Sequence, residues 1–114
     1  MDQTIKQEWV SALRSGEYEQ GRGYLKDRDG KLCCLGVLCE IAARHGIIEP
    51  GRTTYEDAEA YAYGEERDDI YLPAAVQEWQ GLDRSPHANN KSLADLNDGG
   101  TPFSDIADLI EAHL

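Results

Sequence analysis

The sequence predicts an α+β fold, with four or five short helices around a small antiparallel sheet or hairpin. Apolar residues recur at helical spacing in several separate segments, and glycine-containing turn signals divide those segments. The run Leu32–Ala42 is the only long apolar stretch, so it should form the centre of the core. With 114 residues, 40% of them apolar, the chain is predicted to be one domain spanning 1–114.

The first helix is predicted over Ile5–Ser15. Its apolar residues recur every three or four positions. Thr4 and Gln7 form a capping-box pattern at its start, and Gly16 is a natural C-cap. The glycine-rich stretch Glu17–Gly23 that follows is predicted to be a loop.

A hairpin is predicted next, followed by a second helix. Asp27–Gly30 separates two short runs and ends in Asp-Gly, which is typical of hairpin turns. The second helix should begin near Cys34 and end at Arg44 or His45, before Gly46. Gly36 is unfavourable inside a helix, so we expect another element to approach it closely.

The segment 47–71 has the weakest pattern. We expect short strands at Thr53–Tyr55 and Ile70–Leu72, with the acidic stretch Glu56–Asp69 between them as a mobile excursion. A helix should follow, with Pro73 at its first position and its end at Gly81.

The C-terminal part is predicted to hold a loop and two further helices. Asp83–Asn90 is the loop, and Ser92 caps a short helix that runs through Leu96. Asn97–Gly100 is a turn signal. Thr101 then caps a final helix with Pro102 at its first position and an apolar stripe of Phe103, Ile106, Ala107 and Ile110.

Composition excludes several classes of protein. No segment reaches the roughly 18 apolar residues that a membrane span needs. The N-terminus has neither the basic nor the apolar region of a secretory signal. Three cysteines, two of them adjacent, do not form a disulfide framework, so a reducing cytoplasm is expected.

The charge is concentrated in one half. Residues 1–52 carry eight basic and eight acidic residues, whereas residues 53–114 carry three basic and fourteen acidic ones. This imbalance disfavours direct nucleic-acid binding. It is typical of a solvated surface, and it also suits a mimic of a polyanion.

The cysteines and acidic turns do not match metal or catalytic motifs. Cys33, Cys34, Cys39 and His45 lack a second zinc knuckle. Leu38 stands where a calcium loop that starts at Asp27 needs its closing glutamate. We therefore expect no metal, no cofactor and no catalytic residues, with the cysteines as core residues.

One group of residues could hold a ligand. Two arginines, a tyrosine, a glutamine and glycines lie close together in sequence near the end of the first helix, and such side chains grip phosphates and stack on bases. The Asn-Asp turn adds groups suited to ribose hydroxyls. No complete phosphate-binding fingerprint is present. The predicted ligand-binding residues are Arg14, Tyr18, Gln20, Arg22, Asn97 and Asp98.

Several strings place the chain near a known group. The strings that carry the likeness are Arg14–Gly16, Cys33–Cys39 (Cys-Cys-Leu-Gly-Val-Leu-Cys), Trp79–Leu82 and Ser92–Gly99. In these strings the sequence resembles small uncharacterised accessory proteins of tailed phages and prophages. The likeness covers nearly the full chain apart from 47–70. It implies a protein acting in the cytoplasm of an infected bacterial cell, and it carries no established activity.

Three hypotheses of function follow. The first is a non-enzymatic binder that sequesters a small host molecule, such as a nucleotide immune signal. The second is an acidic inhibitor of a host nucleic-acid-binding or defence protein, with Tyr55, Tyr61, Tyr63 and Tyr71 as anchors. The third is a small hydrolase using Asp98 as base or Cys34 as nucleophile, and an enzyme is the less favoured class. Homo-oligomerisation stays open.

Overall fold

The computed structural model describes residues 1–114 and confirms the predicted α+β fold. It contains five helices and one two-stranded antiparallel sheet. None of the helices has the length and apolar character needed to cross a membrane. The elements are α1 (Gln3–Arg14), α2 (Cys34–Arg44), α3 (Ala74–Gln80), β1 (His87–Ala88), β2 (Lys91–Ser92), α4 (Leu93–Asp98) and α5 (Phe103–His113).

Helix α1 begins earlier than predicted. The N-cap is Asp2, whose Oδ1 accepts a hydrogen bond from the Ile5 backbone N–H at 2.9 Å. The predicted capping box from Thr4 to Gln7 is therefore wrong. The Asp2 carboxylate already satisfies a free N–H of the first turn, so the helix starts before Thr4.

Helix α2 has the predicted bounds and forms the centre of the core. Its N-cap is Cys33, whose sulfur accepts from the Gly36 N–H at 3.4 Å. The expected close approach to Gly36 is confirmed, because a Cβ there would overlap the carbonyl group of Leu25. Glycine is thus the residue that lets the 25–26 segment lie directly on the helix.

The core unites residues from all five helices and the connecting segments. Trp9 of α1 is fully buried, and its Nε1 donates to the Cys34 carbonyl oxygen at 2.9 Å. Trp79, which was expected in the core, is only half-buried at its edge, with its ring 5.5 Å from that of His45. The other residues expected to pack together do so: Leu35, Leu38, Ile41, Phe103 and Ile106.

Helices α1 and α5 form the most extensive helix pair. Lys6 lies in that interface with only 8% of its surface exposed. Its Nζ donates to the backbone carbonyl of Glu111 at 3.1 Å. This ammonium group therefore satisfies one of the carbonyls left free at the end of α5, which accounts for a lysine at a buried position.

The small sheet lies where the sequence predicted only loop. The expected strands at 53–55 and 70–72 are absent, and β1 pairs instead with β2, with His87 opposite Ser92. Asn89 and Asn90 both have positive φ, at 53° and 62°. Two such residues in a row match the two-residue hairpin turn that suits the twist of paired strands, and asparagine tolerates this conformation.

The predicted turn at Asp27–Gly30 is confirmed. Asp27 Oδ1 accepts from the backbone N–H groups of Asp29 and Lys31, each at 3.0 Å. The flanking residues make a single antiparallel bridge, between Lys26 and Leu32, rather than two full strands.

A single isolated bridge joins the acidic segment to this turn. Asp27 pairs with Ala60, and within the segment Tyr63 pairs with Asp68. The Tyr63 ring is buried against Gly51, where a Cβ would lie 2.6 Å from ring atom Cζ. The hydroxyl of Tyr63 is buried and has no hydrogen-bond partner, and burial raises its pKa.

The last three helices differ from the predicted bounds by one or two residues. Pro73 and Pro102 are the N-caps of α3 and α5 rather than their first helical residues. Helix α4 starts after Ser92, whose Oγ accepts from the Asp95 N–H at 3.2 Å. The helix continues to Asp98 instead of ending at Leu96, and this places Asn97 and Asp98 on a helix.

Replacing Gly36 tests the close approach of Leu25. At an interior position of a helix, alanine is normally more favourable than glycine by about 1 kcal/mol. At this position we expect Gly36→Ala to lower the free energy of unfolding by about 3 kcal/mol, because the new methyl group has no space. Urea unfolding followed by circular dichroism measures the change. A stabilised variant would show that the 25–26 segment does not lie on α2.

Candidate functional site

The Asn97 side chain joins three parts of the chain. Asn97 is fully buried. Its Oδ1 accepts from the Cys34 backbone N–H at 3.2 Å and from Gln20 Nε2 at 2.9 Å, and its Nδ2 donates to the Gly21 carbonyl at 2.8 Å. One amide therefore ties the end of α4 to the start of α2 and to the 20–21 loop. We call this set of contacts the Asn97 junction.

Gln20 extends the junction to α5. Its Nε2 also donates to the Thr101 carbonyl at 2.8 Å, and its Oε1 accepts from the Phe103 N–H at 3.2 Å. Both the nitrogen and the oxygen of the Gln20 amide therefore have hydrogen-bond partners within the fold. Gln20 and Asn97 were predicted to bind a ligand, and the structure instead gives their polar atoms internal partners.

Arg22 and Asp98 lie at the exposed edge of the junction. Asp98 Oδ1 accepts from the Gly23 N–H at 2.9 Å. The Arg22 guanidinium lies over Gly100, with Nη2 3.1 Å from the position of a Cβ there. Arg22 forms no ion pair. Arg22 and Asp98 are both exposed, and each lies close to the backbone of the other's segment.

Arg14 and Tyr18 have other partners. Arg14 binds Asp108 at 2.6 Å and Glu111 at 3.2 Å on α5, and hydrogen bonds to Glu111 and Asp108 raise its pKa. The Tyr18 hydroxyl accepts from Arg44 Nη1 at 2.6 Å. The six residues predicted to grip a phosphate and a base therefore do not form one site. Arg14 and Arg22 are close in sequence, but Arg14 is the last residue of α1 and Arg22 lies in the loop that follows. Arg14 therefore pairs with acidic residues of α5.

All three cysteines are free and buried, as expected for core residues. Burial raises the pKa of Cys33 to about 11, and it raises the pKa values of Cys34 and Cys39 well above the ordinary range. A nucleophilic cysteine needs exposure and a lowered pKa. Cys34 has neither property, so the structure gives no support to its use as a nucleophile.

Side chains suited to a metal ion are not gathered anywhere. No group of three or more His, Cys, Asp or Glu side chains lies close enough together to hold one.

Part of the acidic segment lines a concave surface of the molecule. This cleft has a volume of about 550 Å³. Three separate stretches of the chain form it: the chain at the end of α2 and after it, the 62–68 loop and the start of α3. Sequence analysis identified the acidic composition of this region but not the cleft, because no local pattern brings the three stretches together.

The cleft has an apolar part and an acidic part. Ile47, Ile48, Pro50 and Pro73 contribute apolar surface. Four carboxylates line the cleft against the single guanidinium of Arg52. The four are Glu49, Glu65, Glu66 and Asp68.

The carboxylates of this region have no cationic partners. Eight acidic residues lie between Glu49 and Asp69, and the ion pairs of the structure all involve other residues. Burial raises the pKa of Asp68, and the neighbouring Glu66 and Asp69 add to this rise, while Arg84 opposes it. The region therefore holds negative charge that the fold does not neutralise.

A sequence model for a family described as a domain of unknown function (DUF8296) matches residues 1–114. The chain belongs to the DUF8296 family. No curated protein matches the chain, and no solved structure matches it. Membership of DUF8296 brings no activity with it.

The Asn97 junction predicts a structural role for Asn97. Asn97→Ala would leave the Cys34 N–H and the Gly21 carbonyl without partners in a buried site. We expect the free energy of unfolding to fall by about 3 kcal/mol, since each unmatched buried group costs roughly 1–3 kcal/mol. The exposed neighbour offers a control, because Asp98→Ala should cost less than about 1 kcal/mol. Equal stability of the two variants in urea unfolding would contradict the junction.

The buried thiols predict slow labelling. The raised pKa values leave little thiolate near neutral pH, and burial blocks access to all three sulfurs. We expect a thiol reagent to label the native protein at least about a hundredfold more slowly than the urea-unfolded chain. Ser104→Cys, at an exposed position of α5, supplies a fast-reacting control. Rapid labelling of a native cysteine in the folded protein would reopen the nucleophile hypothesis.

Proposed function

We propose that this protein is a non-catalytic binding protein whose acidic cleft takes up a basic surface of a partner protein. The observation that carries the proposal is the set of unpaired carboxylates around a cleft of about 550 Å³. Pockets of about 300–1,000 Å³ are typical of small-molecule sites, so this cleft has room for a single side chain of a partner. The proposal develops the second of the three sequence-based hypotheses.

The distribution of ion pairs supports a basic partner. Outside this segment several carboxylates have cationic partners: Arg14 binds Asp108 and Glu111 on α5, and Lys26 binds Glu40. Leaving eight carboxylates unpaired in one segment costs stability through mutual repulsion. A positively charged partner would remove that cost and would be steered to the site by the same field.

Exposed aromatic and aliphatic side chains near the acidic segment supply contact area. Tyr55 is 64% exposed, and Ile70 and Tyr71 are also exposed. Tyrosines are frequent anchors in interfaces. Two of the four tyrosines expected to serve as anchors are unsuited to it: Tyr63 is buried, and Tyr61 is half-buried beneath the Lys26 ammonium group.

The resemblance to phage accessory proteins supports a setting for this binding. We propose that the partner is a basic host protein, such as one that binds nucleic acid or acts in defence, in the cytoplasm of an infected bacterium. An acidic surface that occupies a nucleic-acid site would block that protein without catalysis.

Sequestration of a nucleotide-like small molecule is the second candidate. One observation favours it: Arg22 is exposed, has no ion pair and lies beside the Gly99–Gly100 turn. Isothermal titration with a panel of cyclic and linear nucleotides tests this candidate. Heat release that disappears in Arg22→Ala would favour it over protein binding.

Charge neutralisation tests the proposed function. The probe is a fluorescein-labelled peptide of mixed lysine and arginine, and fluorescence anisotropy measures its binding. We expect Glu49→Gln/Glu65→Gln/Glu66→Gln to weaken binding about tenfold, which corresponds to about 1.4 kcal/mol. Rising salt concentration should weaken wild-type binding and reduce this difference.

A matched variant controls for net charge. Glu17→Gln/Glu78→Gln/Asp83→Asn removes the same number of exposed carboxylates, none of them in an ion pair or in the cleft. It should change the Kd less than about threefold. Equal weakening by both triple variants would mean that only total charge matters, and the proposed function would be withdrawn.

A further inference from the structure

The cleft combines two surfaces that suit one kind of side chain. Its apolar lining includes Ile47, Ile48 and Pro73. Its carboxylates come from the 62–68 loop and from Glu49. A side chain with an aliphatic stem and a cationic head can contact both surfaces at once, as lysine and arginine do at other interfaces.

The nature of the carboxylates favours a guanidinium over an ammonium group. Asp68 is half-buried and lies near two further acids, so a cation that binds it must give up part of its hydration. Guanidinium is more weakly hydrated than ammonium, and its planar fork can donate to two carboxylate oxygens together. Lysine offers a compact and strongly hydrated charge instead.

The walls of the cleft leave room for a side chain. Ala74 and Ala75, both exposed at the start of α3, line it with single methyl groups, and Gly46 and Gly64 line it without a side chain. Small residues at these positions keep the cleft open. Arg52 also lines the cleft, but the four carboxylates outnumber this one cation.

We propose that the cleft receives an arginine side chain of the partner protein, with its stem against the apolar wall and its guanidinium on the carboxylates of the 62–68 loop. This inference rests on the proposed function, because it names the residue by which a basic partner is recognised. The occupant follows from charge complementarity and from the apolar surface beside the charge.

Filling the cleft without changing its charge tests the inference. Ala75→Phe places a ring in the cleft from an exposed helix position, and Ala74→Phe does so from the neighbouring position. Ala112→Phe makes the same change at an exposed position of α5 outside the cleft. Circular dichroism and thermal unfolding establish that each variant is folded.

The probes are three labelled peptides that differ at one central residue: arginine, lysine or the neutral isostere citrulline. We expect the wild type to bind the arginine peptide about tenfold more tightly than the citrulline peptide and several-fold more tightly than the lysine peptide. At least one of the two cleft-filling variants should lose both preferences. Ala112→Phe should retain them.

The outcomes separate this inference from the proposed function. Equal binding of the arginine and lysine peptides, with no effect of Ala74→Phe or Ala75→Phe, would overturn the arginine site. The proposed function would survive that result if the Glu49, Glu65 and Glu66 substitutions still weaken binding more than their matched control. Loss of that charge effect would remove both proposals.

Discussion

The fold depends on one buried amide. Asn97 satisfies the Cys34 N–H at the start of α2, the Gly21 carbonyl and the side chain of Gln20, and Gln20 in turn binds the chain on either side of the α5 N-cap. A buried amide in a network of this kind strengthens the fold only if all its partners are present. The positions of α2, α4 and α5 are therefore coupled through a few hydrogen bonds, and those helices carry most of the core.

Local signals in the sequence predict those elements whose bounds are set by neighbouring residues. The bounds of α2 follow from its apolar run and from the glycine after it, and the crowding at Gly36 follows from the cost of glycine in a helix. The β1–β2 hairpin was missed because its strands are two residues long and lack apolar alternation. The signal that could have found it is Asn89-Asn90, a pair suited to positive φ.

The sequence predicts the charge of the candidate site but not its shape. Composition located the excess negative charge, but the cleft arises from contacts between three separate segments, and single-sequence patterns do not encode such contacts. Polar residues clustered near Arg14 and Asn97 were interpreted as ligand contacts. Most of them serve the fold instead, because buried backbone groups at helix ends require partners as strongly as a ligand would.

The position of the Cys33 sulfur bears on how the protein is damaged by oxidation. This thiol caps α2 and the other two lie within the same helix, all of them shielded from solvent. Oxidants act on exposed thiolates, so they reach these sulfurs only when the helix opens. Once oxidised, a cysteine that no longer fits its place would keep the chain from closing again. Oxidative damage would therefore accumulate at a rate set by opening of the core, and it would become irreversible once a sulfur reaches the sulfinic or sulfonic state.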